Sequence, residues 1–170
     1  MGDRAEGLSR LAKAATPTIL GLFGVIALAL PLRLAEGHAP TPILPLVVVF
    51  FWSIYGPNYL PALSVFFVGL LQDLLTGGPL GLWPAVYLST QYIVLSQRSY
   101  FLGREQRVVW LGFALAAVNA GVMVWLVMSL MSSVLLPIGD LALQMLATVA
   151  IYPLFGVAFS HLHRRVLVEA

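Results

Sequence analysis

Charged residues are sparse along the chain, and long apolar stretches fill the gaps between them. Nineteen uncharged residues lie between Lys13 and Arg33, enough for one helix across a hydrocarbon core about 30 Å thick. A second uncharged stretch runs from Gly37 to Gln72 and holds 36 residues. As a single helix it would be roughly 54 Å long at 1.5 Å per residue, so we expect it to fold back.

Glycine and proline mark where the apolar stretches divide. The run Gly56-Pro57-Asn58 favours a turn inside the long uncharged stretch, and Gly77-Gly78-Pro79 favours the next one. The two tails and the central loop are each too short to bury a core of their own. The sequence therefore predicts an all-α membrane protein, one domain over residues 1–170, with six transmembrane helices near 14–32, 41–56, 59–76, 79–97, 108–136 and 140–163.

The composition excludes an ordinary soluble protein. Of the 170 residues, 60% are hydrophobic and 9% are charged, against roughly 25% charged in an average soluble domain. So few charged side chains cannot cover a soluble surface, and the apolar surplus must face lipid. The net charge of +2 is spread too thinly for a nucleic-acid interface. Because the sequence has no cysteine, disulfides, thiolate metal ligands and cysteine nucleophiles are excluded.

The positions of the basic residues test the number of spans independently. Lys and Arg near helix ends favour the cytoplasmic side of a membrane. With six spans both termini share one side, which then holds eight of the nine basic residues, and Arg33 alone lies opposite. An odd number of spans would destroy this partition. We therefore predict that both termini and the Arg98–Arg107 loop are cytoplasmic.

Asp73 is the one charged residue within a predicted span, where an acid at the helix centre costs about 2.5–3.5 kcal/mol on insertion scales. Gly69, Asp73 and Gly77 recur every four residues and so share one helix face. The glycines permit close approach of another helix, and the carboxylate between them can accept hydrogen bonds across the contact. We interpret this face as a helix-packing surface. The alternative is that Asp73 simply reaches the wet outer interface near the end of its helix.

The other polar residues within the spans indicate no catalytic chemistry. Asn119 lies well inside the fifth span, and we expect its amide to form a hydrogen bond with a neighbouring helix. His161 and His163 point to different sides of a helix, without a cysteine or paired carboxylate, so we predict no metal site. The sequence has no phosphate-binding loop, zinc-protease motif or nucleophile elbow. We therefore expect no enzymatic activity and no cofactor.

The hairpin between the third and fourth spans has a specific spacing. A glycine is followed by an aspartate four residues later, a second glycine four residues after that, and then a Leu-Gly pair. These positions are Gly69, Asp73, Gly77, Leu80 and Gly81. This spacing resembles the signature of the rod shape-determining MreD family, and the chain length and number of predicted spans are similar to that family in outline.

The resemblance implies a non-enzymatic subunit of the bacterial wall-elongation machinery, located in the inner membrane. Such a subunit binds the single-pass protein MreC directly and reaches MreB, RodA and a class B penicillin-binding transpeptidase through the complex. The family fold is also similar to the substrate-binding subunits of vitamin uptake transporters, so the alternative is a small-molecule-binding subunit of a transporter. That alternative needs convergent polar groups around a pocket, which the short apolar loops do not offer.

Two groups of residues are the predicted contact sites. The first packs the third and fourth spans and meets a partner helix, with a second copy of the chain as a further candidate partner: Gly69, Asp73, Gly77, Leu80 and Gly81. The second is the cytoplasmic basic loop with Arg98, Arg104 and Arg107, which we interpret as a solvated determinant of topology. Contact of this loop with anionic lipid headgroups or a cytoplasmic partner is the alternative.

Overall fold

The computed structural model describes residues 2–29 and 41–163, with side chains over 15–28 and 41–158. Throughout these residues the regular secondary structure is helical, which confirms the all-α fold class for this part of the chain. The described α-helices are Gly2–Ala29 (α1), Leu44–Tyr55 (α2), Ala62–Thr76 (α3), Leu82–Ser96 (α4), Arg98–Phe101 (α5), Gln106–Ser132 (α6) and Gly139–His163 (α7).

The helix bounds differ from the predicted spans at the α2–α3 connection, as they do at the starts of α1 and α2. One turn of 3₁₀ helix occupies Pro57–Tyr59, and Pro61 follows in an extended conformation. Proline lacks the N–H that a helix interior requires, so it favours a helix start immediately after it. The third helix therefore begins at Ala62 and not at residue 59.

The connection between α6 and α7 shortens the fifth predicted span. Ser133 has a positive φ of 53°, which ends α6 at Ser132 instead of residue 136. The chain then folds back, since the Ser129 hydroxyl accepts the Leu136 N–H at 3.3 Å and the Trp125 indole donates to the Leu136 carbonyl at 3.0 Å. The end of the first predicted span, residues 30–32, lies outside the described residues, as do Arg33, Arg164 and Arg165.

The short helix α2 lies at the centre of the bundle. It contacts α1, α4, α6 and α7, and all of its residues but Leu44 and Tyr55 are buried. A helix that is apolar on every side is suited to the core of a bundle or to lipid, because no face of it is suited to water. The hairpin of α3 and α4 and the hairpin of α6 and α7 complete the bundle, and α1 packs against both α2 and α3.

Aromatic rings fill the core between α2, α6 and α7. Phe113 of α6 and Tyr152 of α7 stack with ring centroids 4.4 Å apart, and Phe50 of α2 meets both rings edge to face at 5.2 and 5.7 Å. All three are fully buried. Offset-stacked and edge-to-face rings add specific geometry to the large apolar area that they bury. This cluster fixes the α6–α7 hairpin against the central helix.

The outer surface of the bundle is apolar. Large hydrophobic side chains are exposed along α1, α3, α4, α6 and α7. Among the described residues, Gln106–Ser132 and Gly139–Ala158 form helices that are long and apolar enough to cross a membrane. Residues 15–28, 44–55 and 62–76 form shorter apolar helices. The number of spans and the side of each terminus stay predictions.

Candidate functional site

The turn between α3 and α4 depends on two glycines in the left-handed region. Gly77 ends α3 with φ of +68°, and its N–H donates to the Asp73 carbonyl at 3.0 Å. Gly81 precedes α4 with φ of +96°. A Cβ atom at either position would meet nothing within 4 Å, so space is not the constraint. Both glycines are required for their backbone conformation, which other residues adopt only at a cost.

Gly69 lies where α3 touches the first turn of α4. A Cβ atom at this position would lie 2.7 Å from both the Pro84 Cα and the Trp83 carbonyl carbon. These are main-chain atoms, which cannot rotate away as the end of a flexible side chain can. A hydrogen at this position is therefore what allows the two backbones to approach, as small residues do at helix contacts in membranes.

The Asp73 carboxylate caps the amino terminus of α4 from the preceding helix. Its Oδ2 accepts the Gly81 N–H at 2.6 Å, and its Oδ1 accepts the Trp83 N–H at 3.1 Å. The side chain is only 1% exposed. The first N–H groups of a helix have no partner within it, and the residue at the cap position, Gly81, has no side chain to supply one. A negative charge at this end also interacts favourably with the helix dipole.

Leu80 differs from the other residues of the predicted hairpin site. The structure brings Gly69, Asp73, Gly77 and Gly81 together as parts of one backbone arrangement. The Leu80 side chain, at the tip of the turn, is 70% exposed. It therefore packs little against the protein itself and is presented outward by the hairpin.

From the sequence alone, Gln72, which lies beside Asp73, could either line a cavity or contact another helix, and its partner could not be identified. The Tyr87 hydroxyl of α4 donates a hydrogen bond to the Gln72 Oε1, and both side chains are fully buried. The Gln72 Nε2 is buried without a hydrogen-bond partner. One turn further along α4, Gln91 Nε2 donates to the Leu60 carbonyl at 2.8 Å. The four-residue spacing of Tyr87 and Gln91 was the signal that could have placed them on one face of α4.

The charge of the Asp73 side chain has a structural role in this hairpin. Both oxygens of the Asp73 carboxylate accept main-chain N–H groups, and the side chain is buried against the start of α4. Among the described residues, no three His, Cys, Asp or Glu side chains cluster as metal ligands would. The hairpin geometry therefore supports helix association and shows no catalytic arrangement of groups in the described part.

Comparison with known protein families shows to which family the chain belongs. Residues 10–161 match the family model of the rod shape-determining protein MreD. The chain belongs to the MreD family. No curated protein and no solved structure matches it significantly. The family match confirms the assignment predicted from the hairpin spacing, and it makes this chain a member of a family of shape-determining membrane proteins.

A second set of polar contacts in this MreD-family chain joins α7 to the start of α2. The Thr148 hydroxyl accepts the Ile43 N–H at 3.0 Å and donates to the Gln144 carbonyl at 2.7 Å. The Gln144 Nε2 donates to the Thr41 carbonyl at 3.0 Å. Sequence reasoning missed Thr148, because residues so far apart in sequence carry no shared pattern. These bonds connect the last described helix to the central one.

The three arginines of the predicted basic loop lie in different environments. Arg98 is half-buried, and its Nε donates to the Ile54 carbonyl in the last turn of α2 at 2.7 Å. The Arg104 guanidinium lies over the Tyr100 ring, 5.1 Å from its centroid, and Arg107 is exposed. Arg98 therefore has a structural contact that the prediction of a solvated loop did not include, since a cation satisfies the open carbonyls at a helix end.

The structure places the Asn119 amide within its own helix, which differs from the predicted bond to a neighbouring helix. Its Nδ2 points to the Met123 Sδ, 3.8 Å away and one turn along α6. The same sulfur accepts the Ser89 hydroxyl of α4 at 3.1 Å. Asn119 is thus linked to α4 only through the polarizable Met123 side chain, and no direct interhelical bond is formed by its amide in this structure.

Proposed function

We propose that this protein is a non-enzymatic, multi-pass subunit of the bacterial inner membrane that binds MreC and holds it in position for lateral wall synthesis. MreB, RodA and a class B penicillin-binding transpeptidase belong to the same assembly through MreC. Membership of the MreD family supports the role in cell shape. The apolar outer surface and the two long apolar helices support insertion in a membrane.

The observation that carries a scaffolding role is how the buried polar side chains are used. Asp73, Gln91 and Thr148 each bind main-chain groups of another helix or turn, and Arg98 does the same at the end of α2. Such bonds fix the relative positions of helices, because few alternatives exist for a polar group away from water. A subunit that positions a partner needs this rigidity and needs no reactive side chain.

Leu80 is the residue through which we expect the hairpin to meet MreC. It lies in a turn held by Gly77 and Gly81 and by the cap on α4, and its side chain is exposed. In the six-span arrangement this turn lies at the outer face of the membrane. A rigid apolar side chain binds a partner with little loss of conformational entropy, which favours it as an anchor.

Co-purification with MreC after extraction in a mild detergent tests this proposal. We expect a tagged form of this protein to retain MreC, and Leu80→Ser to reduce the retained amount by about tenfold, as the loss of a central apolar anchor does. Leu135→Ser is the matched control, because Leu135 is an equally exposed leucine in the α6–α7 turn. Failure of the two folded proteins to associate contradicts binding, and equal loss with both variants contradicts the assignment of Leu80.

A further inference from the structure

A tyrosine side chain faces outward from α4 without a hydrogen bond. Among the described side chains, those that are exposed and lie at least four residues from a helix end are apolar, with two exceptions, Trp110 and Tyr92. The Trp110 indole donates its N–H to the Val149 carbonyl of α7 at 2.9 Å. The Tyr92 side chain is 75% exposed, and its hydroxyl has no hydrogen-bond partner among the described residues. Tyr92 therefore presents an unsatisfied polar group to the surroundings of the bundle.

A contact between α4 and α6 gives the depth of this tyrosine. The Ser89 hydroxyl of α4 donates to the Met123 Sδ of α6 at 3.1 Å, so these residues lie at about the same level of two antiparallel helices. Three residues further along α4, Tyr92 is about level with Asn119, which precedes Met123 by four residues. Asn119 is the central residue of α6, with 13 residues of the helix on each side. Tyr92 therefore lies at about half the height of the longest membrane-capable helix that the structure describes.

The Tyr92 hydroxyl is too deep to reach the headgroups. Arg107, exposed near the start of α6, lies twelve residues or about 18 Å from Asn119. Along α4 the next charged residue is Arg98, six residues or about 9 Å away, and Leu102 is still exposed beyond it. A hydroxyl in hydrocarbon costs free energy unless it forms a hydrogen bond. In a bilayer this group thus needs a partner that the described part of the chain does not supply.

A second polar side chain borders the same groove at the same level. The Met123 Sδ is contacted both by the Ser89 hydroxyl and, at 3.8 Å, by the Asn119 amide, so Asn119 lies on the side of α6 that faces α4. Tyr92 follows Ser89 by three residues and shares its side of α4. Sulfur is a weak acceptor, and the half-buried Asn119 forms no other hydrogen bond within the described residues. Tyr92 and Asn119 therefore line the outward-facing groove between α4 and α6, here called the α4–α6 groove.

We propose that two copies of this chain associate through the α4–α6 groove, with the Tyr92 hydroxyl of each copy bound to the Asn119 side chain of the other. The inference rests on the transmembrane arrangement proposed above. A two-fold axis along the membrane normal keeps corresponding residues at one depth, so groups that are level within one chain are level between the copies. A phenol hydroxyl and a carboxamide each donate and accept hydrogen bonds. A second copy therefore completes both bonds by itself, whereas a helix of another protein must bring a matching polar residue of its own.

The α4 side of the groove permits close approach of another helix. The side of α4 that carries Tyr92 also holds three small residues, at seven and three positions before it and four after it: Ala85, Ser89 and Ser96. Small side chains let helix backbones approach in a membrane, where packing and interhelical hydrogen bonds drive association. The Ser89 and Ser96 hydroxyls already donate to carbonyls of α4 itself. These serines therefore contribute their small size, and Tyr92 and Asn119 supply the specific bonds.

Oxidative crosslinking of the full chain in liposomes, without MreC, tests this interface. Because the sequence has no cysteine, a single thiol can be introduced by Ser96→Cys, one turn from Tyr92 on the same side of α4. Leu146→Cys is the matched control, because Leu146 is exposed on α7. With copper phenanthroline as the oxidant, we expect a disulfide-linked dimer from Ser96→Cys and little from Leu146→Cys. Comparable crosslinking of both variants shows random collision and contradicts the interface.

Removal of one hydroxyl tests the hydrogen bonds. Tyr92→Phe deletes only an exposed group, so the chain itself should fold unchanged. Energy transfer between donor- and acceptor-labelled copies, diluted stepwise in lipid, measures dissociation of the dimer. We expect Tyr92→Phe to weaken the dimer about eightfold, as the loss of two interhelical hydrogen bonds does. Tyr100→Phe is the matched control, since Tyr100 is an exposed tyrosine beyond the end of α4, and it should leave dissociation unchanged.

A double variant tests whether the two groups bind each other. Asn119→Ala should weaken the dimer to a similar degree as Tyr92→Phe. The combination of both substitutions should weaken it little further, because each single change already removes the same bonds. Additive losses contradict the pairing of Tyr92 with Asn119.

Other outcomes contradict the proposal at different steps. Unchanged dissociation of Tyr92→Phe shows that the dimer does not use the polar groups of the groove. A monomer at every dilution, together with loss of MreC from the Tyr92→Phe variant, shows that the groove holds a helix of that partner and not a second copy. Reaction of Tyr92→Cys with a membrane-impermeant maleimide as fast as that of Gly103→Cys places this face in water. That result contradicts the transmembrane arrangement itself, so its failure is distinguished from a failure of the contact between copies.

Discussion

At the scale of single residues, the capping of α4 by Asp73 explains why a charge is buried in an otherwise uncharged hairpin. The backbone donors that it satisfies, the N–H groups of Gly81 and Trp83, lie eight and ten residues further along the chain. In water such donors would bond to solvent, but within a bilayer each unsatisfied group costs several kcal/mol. The carboxylate therefore takes the place of water as the acceptor of these two N–H groups, of which that of Trp83 belongs to a buried residue.

Substitution of Asp73 should destabilise the protein in a graded way. In Asp73→Leu both backbone N–H groups lose their acceptor, at about 1–3 kcal/mol each. In Asp73→Asn the amide oxygen still accepts one of the two N–H groups, while the amide nitrogen faces the other donor and cannot accept from it. We therefore expect a smaller loss of stability than in Asp73→Leu. The free energy of unfolding in mixed micelles measures both. Asp140→Asn is the control, because Asp140 is exposed; equal stability of the Asp73 variants and this control contradicts the cap.

Gly69 offers a comparison with a second glycine of the same hairpin. Gly69→Ala places a methyl group 2.7 Å from main-chain atoms of α4, so the two helices must separate. We expect a loss of about 1–3 kcal/mol, as for overpacking in a core. At Gly78 the nearest atom is 3.8 Å away and φ is not positive, so Gly78→Ala is expected to be neutral. Thermal unfolding in detergent compares the two variants. Equal unfolding temperatures for Gly69→Ala and Gly78→Ala would contradict close packing at Gly69.

At the scale of helices, α2 depends on other elements at both of its ends. It has no side-chain cap of its own. The Thr148 hydroxyl of α7 accepts the Ile43 N–H just before its start, and the Arg98 guanidinium donates to the Ile54 carbonyl in its last turn. With 12 residues, α2 is too short to be a stable helix alone. Its position and its helical state are therefore both determined by the surrounding bundle.

The hydroxyl of Thr148 can be tested with two substitutions of different chemistry. Thr148→Val keeps the side-chain shape but removes the acceptor of the buried Ile43 N–H, which should cost about 1–3 kcal/mol. Thr148→Ser keeps the hydroxyl and should retain most of the stability. Hydrogen exchange at the start of α2 should accelerate in the valine variant alone. Equal exchange in both variants would show that the methyl group, and not the hydroxyl, matters.

The contact of Arg98 with α2 gives a parallel test at the other end. Arg98→Gln shortens the side chain and removes the charge that satisfies the Ile54 carbonyl, so we expect a loss of about 1 kcal/mol or more. Arg107→Gln removes an equal charge from an exposed position and should leave stability unchanged. Urea or dodecyl sulfate titration followed by tryptophan fluorescence compares the two. A similar decrease in stability for both variants would show that the loss of positive charge, and not the contact with Ile54, causes the effect.

How far the sequence predicts this architecture depends on the range of each interaction. The turns at Gly56-Pro57-Asn58 and Gly77-Gly78-Pro79 are local and could be placed from backbone preferences alone. The shared face of Gly69 and Asp73 follows from helix periodicity, but periodicity does not reveal which donors lie opposite that face. The bond between Ile43 and Thr148 joins residues 105 positions apart, and only the folded bundle brings them together.

At the scale of the whole molecule, few charges and an apolar exterior are two aspects of the same adaptation to lipid. Large apolar side chains cover the outside of the bundle, and the arginines Arg98, Arg104 and Arg107 all lie in or beside the connection between α4 and α6. Because the cost of placing such charges in hydrocarbon is large, we expect this connection to mark one boundary of the membrane. The side that it faces determines the orientation of the entire protein.

Labelling of introduced cysteines determines that orientation without background, since the native sequence has none. Gly78 and Gly103 lie in turns at opposite ends of α4, and Asp140 lies in the exposed first turn of α7. The predicted six-span arrangement places eight of the nine basic residues on the cytoplasmic side. We therefore expect a membrane-impermeant maleimide added to intact spheroplasts to label Gly78→Cys and Asp140→Cys but not Gly103→Cys. Permeabilisation should then expose Gly103→Cys, while Leu115→Cys, facing lipid, should react poorly in both conditions.

Labelling of Gly103→Cys from outside would reverse the predicted orientation. Unequal labelling of Gly78→Cys and Asp140→Cys would contradict an even number of membrane crossings between these two positions.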